Sequence, residues 1–280
     1  MKTKQYLVVG TLALALAGAI FTGCKKTSTA NTSTDTTAAQ DDANAQQAIQ
    51  DSKNISDGAA KGQASDRTAG GCETYRKFDT VISSVTDTAL DIFFGNNDCT
   101  CLDGRTRRGH ILVFWNGKGY FDSASSIMMT FKNYYLNDIG IIGTRTLTNV
   151  GKLTSGNQAW NFTAALTLNY PSGGGSATWN SSRTNVLKQV SSAWYYAVTG
   201  SASGTSRKGA TYSINITSPL YVTALPWWLG GCKYIEAGQL TVNVSSFSYP
   251  IYVTFGTAIG TCSSAATATI NSVTFNFTQQ

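Results

Sequence analysis

From Gly71 to the C terminus the chain alternates apolar and polar residues with a period of two. The clearest run is Trp160 to Tyr170: Trp160, Phe162, Ala164, Leu166, Leu168 and Tyr170 fall on one side, and Asn161, Thr163, Ala165, Thr167 and Asn169 on the other. A period of two is the signature of a strand with one buried face. The same pattern recurs in Tyr212–Ile216 and in Leu240–Val244. Near the end, Ala266, Ala268 and Ile270 share one parity and Val273, Phe275 and Phe277 the other, so a two-residue turn at Asn271-Ser272 predicts a terminal hairpin. Further turn signals stand at Asn116-Gly117, at Pro171-Ser172-Gly173-Gly174-Gly175 and at Ser203-Gly204. No amphipathic helix separates these runs. The pattern predicts an all-β domain over residues 71–280, an antiparallel meander forming a sandwich or a barrel-like shape.

The front of the chain is built differently. A basic start, Met1-Lys2-Thr3-Lys4, leads into an apolar stretch from Tyr6 to Phe21 and then Thr22-Gly23-Cys24. That order reads as a signal peptide over residues 1–23. Small residues directly before a cysteine resemble the bacterial lipobox, with Phe21 where Leu is more usual, and imply that Cys24 carries a lipid. Acyl chains would then hold the protein to a membrane with no spanning segment. Lys25-Lys26 after the cysteine, where an inner-membrane retention signal would carry Asp, favour the outer membrane. Residues 24–70 are rich in Ser, Thr, Ala, Gln and Asp, with Ile49 and Ile55 as the large apolar residues. So little apolar surface predicts a disordered tether.

The two ends of the β region carry a common spacing. Gly70-Gly71-Cys72, Phe94-Gly95 and Cys101 are matched by Gly230-Gly231-Cys232, Phe255-Gly256 and Cys262. This suggests an internal duplication of the Cys72–Cys101 and Cys232–Cys262 regions. In an oxidising compartment such cysteines pair, and the duplication predicts Cys72–Cys101 and Cys232–Cys262. Cys99 is left as a buried free thiol or as an alternative partner of Cys72; other connectivities stay open.

The order of "DIFFGNNDCTCLDGRTRRGHILVFWNG", "MMTFKNYYLNDIGIIGTRTLTN", "YAVTGSASG" and "YVTFGTAIGTCSSAATATINSVTFNF" resembles a group of uncharacterised β-rich lipoproteins of Bacteroidota. The resemblance implies a cell-envelope location and β architecture, and carries over no catalytic residue. The chain departs from that pattern after the last Phe-Gly, where Cys262-Ser263-Ser264 stands in place of Cys-Asp-Asn.

Composition narrows the chemistry. The β region holds 14 Lys/Arg and 9 Asp/Glu, a scattered net +5 that offers no basic stripe for nucleic acid. The densest cluster of reactive groups is residues 96–110, "NNDCTCLDGRTRRGH", with the single histidine of the chain. As a zinc site, Cys99, Cys101 and His110 with Asp98 or Asp103 lack the usual ligand spacing. As a calcium site, Asn96, Asn97, Asp98 and Asp103 supply too few oxygens. Arg105, Arg107 and Arg108 read as a polar flank leading into a strand, and His110 as a strand residue. No nucleophile elbow is present, and the glutamates, Glu73 and Glu236, follow the repeat. Trp194-Tyr195-Tyr196 reads as core, whereas Trp227 and Trp228, in the loop-like Pro226–Gly231, are the candidate ligand contact. No metal, cofactor or catalytic residue is assigned. The sequence therefore predicts a lipid-anchored envelope protein with a non-enzymatic binding or structural role, its partner a glycan or an envelope protein. A hydrolase built on paired carboxylates is the alternative.

Overall fold

The computed structural model describes residues 35–61, 71–82, 85–116, 119–225, 231–256 and 258–279. Cys24, Trp227, Trp228 and the Asn116-Gly117 turn therefore fall outside or at the border of the described residues. One helix, α1 (Thr37–Ala60), precedes fourteen strands: β1 (Thr74–Ile82), β2 (Val85–Phe93), β3 (Cys99–Thr100), β4 (Thr106–Asn116), β5 (Ser126–Leu136), β6 (Ile139–Lys152), β7 (Gln158–Asn169), β8 (Ser176–Val190), β9 (Ala193–Thr205), β10 (Thr211–Thr223), β11 (Ala237–Val244), β12 (Ile251–Gly256), β13 (Ala265–Ile270) and β14 (Val273–Thr278). All belong to one antiparallel sheet in chain order; β3 lies off the path as a short partner of β4, and β1 and β14 are its two edges. The sheet is a meander that does not close into a barrel.

The period-two reading of the strands holds. Phe162, Leu166 and Leu168 of β7 are buried and their polar neighbours lie outward. Ile270 pairs with Val273 across Asn271 and Ser272, both at positive φ (45° and 67°), the backbone that a two-residue hairpin turn requires. Ser203-Gly204 is a different case: it lies inside β9, and the turn comes later, at Ser206–Gly209. Gly204 is needed for close approach, since a Cβ there would stand 1.9 Å from the Thr178 carbonyl oxygen of β8.

The expected tether is overturned between residues 37 and 60. That segment is a 24-residue helix, and eighteen of those residues are buried. A surface helix buries one stripe; α1 is covered on several sides. Asp51 meets Arg107 of β4 and Tyr134 of β5. Lys53, two residues on and about 200° around the helix, meets Tyr196 of β9 and lies over the ring of Trp160 of β7. Strands β4 to β9 therefore curl around the helix. The expectation of disorder weighed only apolar area, but the helix is held through polar side chains.

Burial of this segment has a direct consequence for stability. Ala48 is buried at mid-helix. Ala48→Pro would remove a helix hydrogen bond and clash with the preceding turn, at a cost of about 3 kcal/mol or more. Denaturant unfolding should show that loss; an unchanged midpoint would mean that residues 37–60 are a tether after all.

Candidate functional site

The cluster at residues 96–110 does not form an open site. The turn after β3 places Asp103 and Arg105, and the first residues of β4 place Arg107, against the middle of α1. Arg107 donates through Nε to Asp51 Oδ2 at 3.0 Å and through Nη2 to Asp51 Oδ1 at 2.6 Å. It also donates to both oxygens of Asp103, at 2.9 and 2.5 Å. Arg105 reaches Asp51 at 3.2 Å and the Lys233 carbonyl at 3.2 Å, and Lys233 Nζ returns a bond to the Asp103 carbonyl at 2.9 Å. Arg105 and Arg107 are thus buried ion-pair partners rather than a mere polar flank of the strand. Only Arg108 faces outward, paired with Asp98 and stacked 3.5 Å from the Tyr135 ring centre.

Three further aspartates continue the polar contacts along the helix. Asp42 accepts from Trp179 Nε1 at 2.6 Å and from Arg183 Nη2 at 2.8 Å. Asp57 accepts from Tyr120 at 2.9 Å and pairs with Lys53. Asp41 accepts from the Arg207 backbone N–H at 2.9 Å. Burial alone would raise the Asp51 carboxyl, yet the Arg107 and Arg105 guanidiniums outweigh it and hold it below the ordinary range. Arg145 of β6 is the exception. Burial pulls it down to about 10, and it has no carboxylate bridge among the described residues. Its Nη1 reaches the Ile49 carbonyl at 3.3 Å, while Nε and Nη2 have no partner.

The cysteines are paired as Cys72–Cys99 and Cys232–Cys262. Cys101, the expected partner of Cys72, is a buried free thiol that burial pushes up in pKa. Residues two apart project to the same side of an extended chain, but Cys101 has already passed into the turn, where it packs under β4 beside Arg107. The two stapled units share one plan. A cysteine and a buried glutamate (Glu73, Glu236) precede the first strand of a hairpin, β1–β2 or β11–β12. A buried Phe and a Gly at positive φ (Gly95 at 92°, Gly256 at 56°) end the pair, and the second cysteine follows. Glu236 Oε2 accepts from the Gly260 N–H at 2.6 Å; burial raises its carboxyl pKa.

Asp51 and Asp103 are brought together, but both are closed over Arg107, and neither lines the clefts at Leu136–Ile141, at Arg207 or at β14. Among the described residues, no three His, Cys, Asp or Glu side chains come together as metal ligands. His110 lies outward on β4, its Nδ1 2.8 Å from Asp91 and its ring stacked on Phe93 at 4.3 Å. Of the aromatic trio, Tyr195 and Tyr196 are core, as expected, and Trp194 is exposed.

The outward face is where the molecule presents an organised surface. Strands β9 to β14 contain no Asp, Glu, Lys, Arg or His. Residues directly opposite in an antiparallel pair share a face. Following the register outward gives one continuous row: Thr146, Thr163, Ser182, Ser201, Asn215, Thr241, Tyr252, Thr269, Thr274. A second row runs beside it through Thr144, Ala165, Asn180, Ser203, Ser213 and Asn243. Within this field of hydroxyls and amides, Tyr252 is 56% exposed. The sequence reading missed this face because a polar alternation reads only as "outside"; the register is what aligns the hydroxyls across strands. No protein-family model, no curated protein and no solved structure matches the chain.

The contrast between Asp51 and Arg145 is testable. Asp51→Asn leaves Arg107 and Arg105 short of their counter-charge and should cost about 3–5 kcal/mol at neutral pH. A carboxyl with a depressed folded pKa stabilises fully above its unfolded value and loses this as pH falls through the folded one. Wild type should therefore lose stability in acid, and Asp51→Asn should show a flatter acid limb in denaturant titrations. Arg145→Met, which removes an unpaired buried charge into apolar surroundings, should be neutral or stabilising. A loss of several kcal/mol there would show that Arg145 has a counter-ion.

The cysteine assignment has its own check. Peptide mapping without reduction should recover Cys72 linked to Cys99, with Cys101 alkylated only after unfolding. Recovery of Cys72 linked to Cys101 would reverse the pairing. Each loop, 27 and 30 residues, corresponds to about 3.5 kcal/mol in the chain-entropy account.

Proposed function

We propose that the protein is a lipid-anchored envelope protein, attached through Cys24, that binds a neutral glycan chain along its uncharged outer sheet face. The observation that carries this reading is Tyr252, an exposed ring set in register between Thr241 and Thr269. A phenol ring offers an apolar face with a polar rim, which suits the face of a sugar ring. Each flanking hydroxyl both donates and accepts, and each amide does both through separate atoms, so they can satisfy sugar hydroxyls in either role. The lack of charge over β9–β14 selects against anionic polymers and nucleic acid. An open face also suits an extended polymer better than a small molecule, which needs enclosure. The signal-like start, the lipobox-like Cys24 and the resemblance to Bacteroidota lipoproteins support the envelope location and favour the outer membrane. No described helix is long and apolar enough to cross a membrane, in keeping with attachment by lipid.

Affinity electrophoresis in gels containing neutral polysaccharides (dextran, mannan, xylan, glucomannan) tests the reading. Wild type should be retarded by at least one polymer, and Tyr252→Ala should weaken that retardation at least tenfold. Because Tyr252 is exposed, its removal should change stability by no more than about 0.5 kcal/mol. Trp227→Ala and Trp228→Ala provide the comparison. If they abolish binding and Tyr252→Ala does not, the contact lies in the Pro226–Gly231 segment and the sheet-face reading fails.

A further inference from the structure

The two edges of the sheet differ in chemistry. β1 carries exposed Arg76, Lys77 and Asp79, and charges of this kind guard an edge against pairing with another chain. β14, Val273-Thr274-Phe275-Asn276-Phe277-Thr278, has no charge, no proline and no bulge. Among the described residues it pairs with β13 on one side only. Thr274, Asn276 and Thr278 are exposed, and Phe275 and Phe277 on the inner side are only half-buried. Two clefts share Asn276, Phe277 and Thr278: one of about 280 Å³ reaching Gln40, Asn44 and Arg207, the other of about 580 Å³ along Gly256 and Ala265–Thr267. The strand is thus left open beside the helix it helps to cover.

We propose that β14 pairs antiparallel with β14 of a second copy of this chain, forming a two-fold dimer with a continuous sheet. A two-fold axis makes each strand meet itself, so any charge on β14 would face its own copy; β14 has none. Pairing with β1 of another copy would instead set Arg76 and Lys77 beside a strand that offers no carboxylate. The side-chain pattern agrees. Registers in which Asn276 meets Asn276, or Thr274 meets Asn276, of the two copies set the inner side of one copy beside the inner side of the other. With Asn276 opposite Asn276, Phe275 meets Phe277 on the inner side and Thr274 meets Thr278 on the outer; with Thr274 opposite Asn276, Phe275 meets Phe275 and Val273 meets Phe277 on the inner side. The outer hydroxyl rows then run on from one copy to the other. Six residues of edge make a modest interface, so the dimer should form and dissociate at micromolar concentrations.

Cysteine trapping in the full-length, membrane-anchored protein tests this. Asn276→Cys alone, or Asn276→Cys mixed with Thr274→Cys, should give a dimer of this chain on non-reducing gels, because directly opposed Cβ atoms lie about 4.5–5.5 Å apart. Wild type and Ser203→Cys, exposed mid-sheet on β9, should not. In parallel, sedimentation of the full-length chain with Cys24→Ser should show a concentration-dependent approach to twice the monomer mass. Asn276→Lys, at an exposed position, should weaken self-association at least tenfold without shifting the thermal midpoint. A monomer at all concentrations with no trapped species would overturn the proposal. So would a ladder of higher polymers, which indicates β14-to-β1 pairing, or trapping only to a protein of different mass.

Discussion

One guanidinium held by two carboxylates anchors the structure. Arg107, at the start of β4, binds Asp51 of the helix and Asp103 of the preceding turn, and all three are buried. A charge taken out of water demands a partner with good geometry. Here the demand is reciprocal: Asp51 fixes where the helix stands, and Asp103 fixes the turn that carries Arg105 and the adjacent Cys99–Cys101 stretch. From that point the remaining contacts follow along the helix axis, to Trp179 and Arg183 through Asp42, and to Tyr120 and Tyr196 through Asp57 and Lys53. The disulfide from Cys99 and the Lys233–Asp103 bond tie the same turn to the start of β1 and to the segment before β11.

The molecule divides its charge between inside and outside in an unusual manner. Arginines that would ordinarily lie on the surface point inward to meet an acidic helix, and the outer face over the later strands is left to threonine, serine and asparagine. Charge reaches the outside on β1, β4, β5, β6 and β8, and strands β9 to β14 carry none. This asymmetry supplies both the uncharged face around Tyr252 and the unguarded edge at β14. The face and the edge thus follow from one compositional bias.

How much of this could be read from the sequence depends on the range of the interaction. The strands were legible because alternation is local: residues two apart decide which face is buried, as in Phe162, Leu166 and Leu168. The terminal hairpin was legible because two turn residues decide it. The helix was not, since Ala38–Ile55 has little apolar surface and its partners lie 54 to 167 residues away, from Arg105 to Arg207. The Cys232 partner followed from spacing. The choice between Cys99 and Cys101 did not, because it turns on where β3 ends and the turn begins, a matter of one or two residues. Tyr252 stood in plain view but acquired meaning only when the register set Thr241 and Thr269 on either side of it.

The position of the helix at the front of the chain bears on how the protein reaches its folded form. During synthesis α1 emerges before any strand, yet its partners on the sheet arrive only when β4 and then β8 and the β9–β10 turn have followed. Asp42 must wait for Arg183, 141 residues on, and Gln40 for Arg207, 167 residues on. Contacts of such separation make folding slow and place the curling of the sheet around the helix late. Until then the helix, being hydrophilic, exposes little surface that would aggregate. A segment that must travel unfolded and remain soluble before its enclosure exists is better made of Asp, Gln and Ala than of Leu and Phe. The same polarity that conceals the helix in the sequence suits it to that interval.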